Sequence, residues 1–456
     1  MRRLILLFSA AALTACSLLP GSRPPTASPP PASSAAAASA SAAATDGGHP
    51  RGTPPAEASP AGVTTNTPRP STPGASDGAP VGAPVGVRVW LPPEFTPDVS
   101  TPGGQLLAEQ IQAFETAHPG AAVEIRTKAD SGTGGLLNSL ATAANAAPSV
   151  LPDVIALSRD DLATATAAGL VAPLDGLLPA DSLSDYFPYA QAMGRVGGVW
   201  VGLPFAADAR VLAYLDTSYA SPPLHWMDVV TGPIALPVAE SSGLTVLSSY
   251  LAAGGTLADA NNKLHLDPNI LAGTLLAYQR LQLSGLVLPA TLDYADPATT
   301  WQALRDRRAA AAVTDAGRFL SEYFRVSGAS ATLLPTGGEP PLALADGWAW
   351  ALVNNSSARH ALAAELVSWL SAPAQNGPWT EAAAVLPVRA GSLAAWKQAG
   401  LASMAAGVES HAQLQPAAAV LATLGPALQE ALLAVLNGRA TPFAAATVAA
   451  AAVNQP

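Results

Sequence analysis

A single cysteine, Cys16, occurs among the 456 residues, so no intramolecular disulfide can brace the fold. Charge is scarce as well. Asp, Glu, Lys and Arg make up 12% of the chain, with 32 acidic residues against 22 basic ones and a net charge of −10 at pH 7; the pI is near 5.0. A nucleic-acid partner calls for a basic face, and this balance argues against one. Runs of like charge that would hold a polyelectrolyte are missing too. There is no H-E-x-x-H, and the six histidines, at 49, 118, 225, 265, 360 and 411, have no ligand-like spacing, so neither a metal nor another cofactor is expected. From Val87 onward there is no G-x-S-x-G elbow. The glycine-rich "SGTGG" from Ser131 lacks the Lys-Ser/Thr that completes a P-loop and reads as a flexible turn. No repeat of fixed period points to a solenoid or propeller.

A membrane-spanning helix needs roughly 20 apolar residues. The apolar run from Leu4 to Leu13 is about half that, and it follows Arg2 and Arg3 and precedes the small residues Thr14 and Ala15. Basic start, short apolar stretch and small-residue end make a secretory signal. The tetrapeptide "LTAC" resembles the lipobox of bacterial lipoproteins. That resemblance implies cleavage before Cys16 and acylation of its sulfur, so residues 1–16 are expected to be signal and anchor.

Residues 17–86 are mostly Pro, Ala, Ser, Thr and Gly. They offer too little branched or aromatic surface to offset the entropy of ordering, so a disordered tether is expected. A flexible chain of that length spans roughly 45 Å end to end. Its Ser/Thr/Pro content also suits a glycosylated stalk.

About 370 residues remain, enough for two domains, and the 49% hydrophobic content of the whole chain implies a packed core. "VRVWL" from Val87 reads as a strand. Leu107, Ile111 and Phe114 recur at helical spacing before "HPG". "AAVEIRT" from Ala121 alternates as a strand does, Leu136 to Leu140 is helical, "PDVIAL" from Pro152 is a short buried strand, and "RDDLATATAAGL" returns to helix with acids in its first turn. "VWVGLPFAADARVLAYLD" from Val199 reads as two extended segments. Helices follow around 270–281, 300–306 and 360–370, and "FAAATVAAAAV" from Phe443 reads as a terminal helix docked on the core. Strands alternating with helices imply an α/β fold.

The segments "LLAEQIQAFETAHPGAAVEI", "LPDVIALSRDDLATATAAGLVAPLDGLL", "GGVWVGLPFAADARVLAYLDTSY", "ALRDRRAAAAVTDAGRF", "GWAWALVNNSSARHALAAELVSWLSAP" and "AAAVLPVR" are similar in order and spacing to the extracellular solute-binding proteins of ABC importers, in the cluster that includes maltose-binding proteins. The resemblance runs from Val87 to about Arg389. It implies a two-lobed periplasmic-binding-protein-like fold with several hinge crossings: lobe one at 87–206 with 312–348, lobe two at 207–311 with 349–456. It also implies capture of a small solute, most readily a carbohydrate, by lobe closure, delivery to an ABC permease, no catalysis, and a monomer held to the outer face of the membrane by lipid.

Ligands of open α/β sheets lie off the carboxyl ends of the strands, which makes Trp90 a candidate, with an ordinary core tryptophan as the alternative. The resemblance adds four residues. Asp160 stands where the maltose-binding pattern carries a ligand aspartate, although it also suits a helix first turn; the aromatic of that loop is replaced by Leu157. Asp208 aligns with an acidic ligand residue at the first hinge crossing, where a buried carboxylate needs a partner such as a sugar hydroxyl or Arg210. Phe319 matches a sugar-stacking tryptophan or is core. Trp348 is a recurrent cleft residue, with Trp348 and Trp350 expected to turn to opposite sides of their strand, one to the cleft and one to the core. Trp301 and Trp379 read as packing residues. Alternatives from other classes are a lipid-anchored glycoside hydrolase, which needs two carboxylates at set separation, a surface adhesin, and a receptor for a peptide, polyamine or metal complex.

Overall fold

A computed structural model of the chain describes residues 85–178, 183–337, 341–355 and 359–454. The signal segment, Cys16 and the tether lie outside the described residues.

The first half begins with β1 (Val85–Leu91). Helix α1 (Pro102–Ala117) starts where Thr101 accepts the Gly104 N–H and Pro102 fills a position that needs no donor. Its buried stripe of Leu107, Ile111 and Phe114 faces the sheet. Next come β2 (Ala121–Thr127), α2 (Leu136–Ala146), β3 (Val154–Ser158) and α3 (Arg159–Ala167). β1 runs parallel to both β2 and β3, the pairing that helical crossovers impose. β3 is buried along four of its five residues, as a strand covered on both faces should be. In the "SGTGG" loop, Gly132 and Gly134 take left-handed φ values of 75° and 81° and turn the chain into α2.

Helix α4 (Pro188–Gly194) and the small hairpin of β4 (Arg195–Val196) and β5 (Val199–Trp200) lead to β6 (Leu203–Leu215). At 13 residues and about 3.3 Å per residue, β6 runs on the order of 43 Å, more than twice the usual strand. That length lets it serve two bodies. The second body adds β7 (Ile234–Ala235), α5 (Leu244–Ala252), α6 (Pro268–Leu283), α7 (Pro297–Arg305), β8 (Ala311–Asp315), α8 (Ala316–Glu322) and β9 (Ala329–Thr332). β10 (Ala343–Leu352) returns to the first half, followed by α9 (His360–Ser371), α10 (Pro373–Ala383), α11 (Ala390–Ala394), α12 (Ala399–Glu409), β11 (Ala412–Leu414), α13 (Ala418–Leu436) and α14 (Pro442–Val453).

The main sheet runs β2-β1-β3-β10-β6-β8-β7, with β11 on β10 and β9 on β6. β6 pairs with β10 through its first half and with β8 and β9 through its second. The allocation of segments to halves differs from the expected one. Arg210–Tyr214 pairs with Ala311–Asp315, so residues 311–332 join the second half. α10 packs on α1, and Gln110 donates to the Gln375 carbonyl at 2.8 Å, so α9 and α10 join the first. The expected lobe boundaries exchange these two pieces because strand partners, not chain order, decide membership.

One apolar cluster, including Leu212, Tyr250, Tyr278, Leu424 and Leu428, fills the second half. A second surrounds Trp90, Leu136, Leu157 and Leu162, and a third, around Phe114, Phe205 and Trp350, continues across β6 and β10. α13 is long and apolar enough to cross a membrane by length and composition, but Leu424, Leu428 and Leu432 on one face are buried against α6 and α14. α14 is the docked terminal helix expected from the sequence.

Candidate functional site

The two long strands, antiparallel neighbours, make the crossing from one half to the other where Asp346 pairs with Asp208, Gly347 with Ala207 and Trp348 with Ala206. The backbones approach so closely that a Cβ on Gly347 would sit 2.1 Å from the Ala206 carbonyl oxygen. Only glycine fits. Beside this crossing lies a cavity of about 390 Å³ lined by Glu94, Phe95, Ser158, Asp208, Asp346 and Trp348, with Ala206, Ala207, Ala383 and Val385. A smaller pocket of about 150 Å³ shares Glu94, Phe95 and Ala383 and reaches Thr101 and Trp379. The larger space is in the size range of small-molecule sites.

Asp208 Oδ1 accepts the N–H groups of Ala209 at 2.7 Å and Gly317 at 2.9 Å. Loss of solvation pushes its pKa up to about 7, Asp315 adds to the rise, and the two N–H bonds offset part of it. Burial likewise raises Asp346, against the Gly347 N–H and the nearby Arg159 charge. Partial desolvation also raises Glu94, which stands exposed at the rim. Asp346 Oδ2 accepts from the Gln415 amide at 2.8 Å. Arg210, a possible partner for Asp208 by sequence, is instead clamped by Glu240 at 2.9 Å and Asp315 at 3.0 Å.

The remaining candidates separate. Trp348 is half-buried, lines the cavity and meets Phe95 edge to face at 5.6 Å. Trp350 is 3% exposed and stacks on Phe205 at 4.2 Å, and Phe205 in turn meets Phe95 at 5.2 Å. The two tryptophans therefore share one aromatic cluster rather than opposite sides, because residues two apart on a strand face the same way; depth along the strand distinguishes them. Trp90, 3% exposed, sits in the core with Leu136 and Leu157, with Lys128 Nζ 4.9 Å above its ring, and does not line the cavity. Phe319, 1% exposed, packs edge-on to Trp301 and Tyr323. It lines a different cavity of about 360 Å³, with Tyr214, Tyr323 and Met404, which shares no residue with the first. Asp160 is in neither. Its Oδ2 accepts the Ala418 N–H at the start of α13 at 2.6 Å and its Oδ1 pairs with Arg159 at 3.0 Å. Trp301 is a buried packing residue, whereas Trp379, also buried, meets Phe95 at 5.6 Å and lines the smaller pocket.

Glu94, Phe95, Ser158 and Asp346 escaped the sequence reading. The strand-end rule pointed to the right loop after β1 but stopped at Trp90, and Asp346 stands two residues before Trp348 in "DGWAW". Among the described residues no group of three or more His, Cys, Asp and Glu is placed to hold a metal ion.

Two bodies joined by crossing strands, with a lined cavity at the crossing, define a solute-binding architecture. The profile of the bacterial extracellular solute-binding protein family matches residues 109–405. The chain belongs to that family, whose members bind solutes outside the cytoplasm and are not enzymes. Solved structures of the same fold include a cyclic alpha-maltosyl-1,6-maltose binding protein from Arthrobacter globiformis, 21% identical with a TM-score of 0.66, covering 82% of this chain and 98% of that one. An extracellular solute-binding protein family 1 member from Alicyclobacillus acidocaldarius is 17% identical with a TM-score of 0.64, covering 82% and 98%. The GacH receptor of Streptomyces glaucescens, solved unliganded and with acarbose, is 19% identical with a TM-score of 0.60, covering 80% and 97%. No curated protein sequence matches the chain.

Proposed function

We propose that this chain is the receptor of an ABC importer: it captures a small solute of the carbohydrate class between its two halves and presents the closed form to the permease. The observation that carries this reading is the cavity at the β6–β10 crossing, where Asp208 and Trp348 from both crossing strands line one space. Carboxylates and backbone groups suit hydroxyls, and aromatic faces suit the apolar side of a pyranose. Closure follows from contact with both halves, since a ligand favours a closed state only by its differential affinity for it.

The sugar reading draws on the kinds of ligand named for structures of this fold, and delivery draws on the family. Isothermal titration against maltodextrins, disaccharides and monosaccharides tests it. A carbohydrate bound at micromolar Kd, equivalent to about 8 kcal/mol, and recovered unchanged is the expected result; release of product at catalytic protein concentration would replace it with the hydrolase.

Acylation of Cys16 would keep a monomeric receptor beside its permease at a raised local concentration. Replacing Cys16 with Ser is expected to move the protein from the membrane fraction to the medium or periplasm. Retention in the membrane would refute the anchor.

A further inference from the structure

We propose that the solute carries a positive charge, as an amino sugar or another protonated amine does, and is held by Glu94, Asp208 and Asp346 together with the rings of Trp348 and Phe95. This rests on the receptor reading and narrows its ligand class.

The cavity lining contains three carboxylates and no Lys, Arg or His. Asp208 and Asp346 stand directly opposite each other on β6 and β10, a like-charge placement that opposes sheet stability. The neighbouring cations are shared with carboxylates outside the cavity. Arg210 lies between Glu240 and Asp315, and Arg318 pairs with Glu322. Arg159, on α3, is 3.0 Å from Asp160 and only 3.8 Å from Asp346. Around the crossing, six carboxylates (Glu94, Asp160, Asp208, Glu240, Asp315 and Asp346) therefore share Arg159 and Arg210, with Arg318 acting on Asp315 as well. Apart from its own backbone N–H, Glu94 has no hydrogen-bond partner among the described residues.

A neutral sugar would offer hydroxyl donors to these oxygens but no charge to offset their desolvation. An ammonium supplies up to three donors and the missing charge, and the electron-rich faces of Trp and Phe attract cations. The aromatic area available for neutral pyranose stacking is reduced at the same time, because Leu157 and Phe319 are buried in cores. Burial pushes the Asp208 pKa up to about 7 and raises that of Asp346, and a bound cation would lower both, with proton release from Asp208 near neutral pH.

The full-length protein would be titrated calorimetrically with the glucosamine disaccharide, its N-acetylated form, cellobiose, maltose and spermidine. The amine disaccharide should bind at least tenfold tighter than every neutral sugar. Asp346→Asn, or Glu94→Gln at the exposed rim where folding is not at stake, should weaken that binding about tenfold and by a clearly larger factor than it weakens cellobiose binding; an equal loss for both would overturn the charge claim. Tighter binding of a neutral sugar would overturn the charge claim and leave the receptor standing. Spermidine binding with no sugar bound would keep the charge and remove the carbohydrate class. No binding of any probe would defeat both.

Discussion

The Asp160 carboxylate accepts the Ala418 backbone N–H at 2.6 Å across 258 residues of chain, joining the first turn of α3 in one half to the first turn of α13 in the other. An anionic oxygen at a helix N-terminus satisfies an orphan donor and meets the positive end of the dipole. The contact therefore ties the two halves together beside the cavity.

Asp160→Ala should cost about 0.5–2 kcal/mol of stability, the range of a lost helix cap. Denaturant unfolding measures that loss. Small-angle scattering of the ligand-free protein should also show a larger radius of gyration for the variant. An unchanged midpoint and unchanged radius would show that the contact holds nothing.

Asp208 makes stability depend on pH. With its pKa raised from 3.8 to about 7 in the folded protein, the fold keeps a proton that the unfolded chain has released between about pH 4 and 7. Its contribution is full below that window and is lost as pH rises through 7. Asp208→Asn can accept the same two N–H bonds without the charge. The variant should match the parent near pH 4 and exceed it at pH 8 by on the order of 1–3 kcal/mol, as read from melting or denaturant curves across pH. A constant difference at all pH values would contradict the raised pKa. Solute affinity should fall in the same variant.

Phe319 and Trp348 should separate stability from binding. Phe319→Ala removes a ring 1% exposed and should cost about 3–5 kcal/mol, with affinity spared in the folded fraction. Trp348→Ala removes a half-buried ring at the cavity. It should weaken solute binding at least tenfold, about 1.4 kcal/mol, for a stability loss near 1 kcal/mol, the scale of one aromatic pair. The reverse outcome would return Phe319 to the site.

Arg210 is 7% exposed and neutralises both Glu240 and Asp315. Arg210→Ala leaves those carboxylates without their cation and should destabilise by about 3–5 kcal/mol. A loss under 1 kcal/mol at neutral pH would mean the carboxylates find another partner.

Local patterning made most elements legible. Period-two alternation marked Ala121–Thr127, which is β2 to the residue, and helical spacing marked Leu107, Ile111 and Phe114, all buried on α1. β6 was legible as extended chain, but nothing in "LPFAADARVLAYL" announces a single strand that changes partners halfway, because each residue reports its own burial and not its neighbour. The same limit explains the site. Asp208 and Trp348 entered by resemblance in motif order and do meet at the crossing, whereas Glu94 and Phe95 reach it only because parallel pairing of β1 with β3 carries their loop there.

Composition and periodicity by themselves determined an acidic, disulfide-free α/β body with strands and helices in this order, since propensity, capping and burial act within a few residues. Which pieces form each half, that Asp208 faces Asp346, and that Trp90 and Phe319 turn inward were decided only when β6 and β10 crossed. Hydrogen-bond register between segments more than a hundred residues apart is a property of the folded whole, and no local preference encodes it.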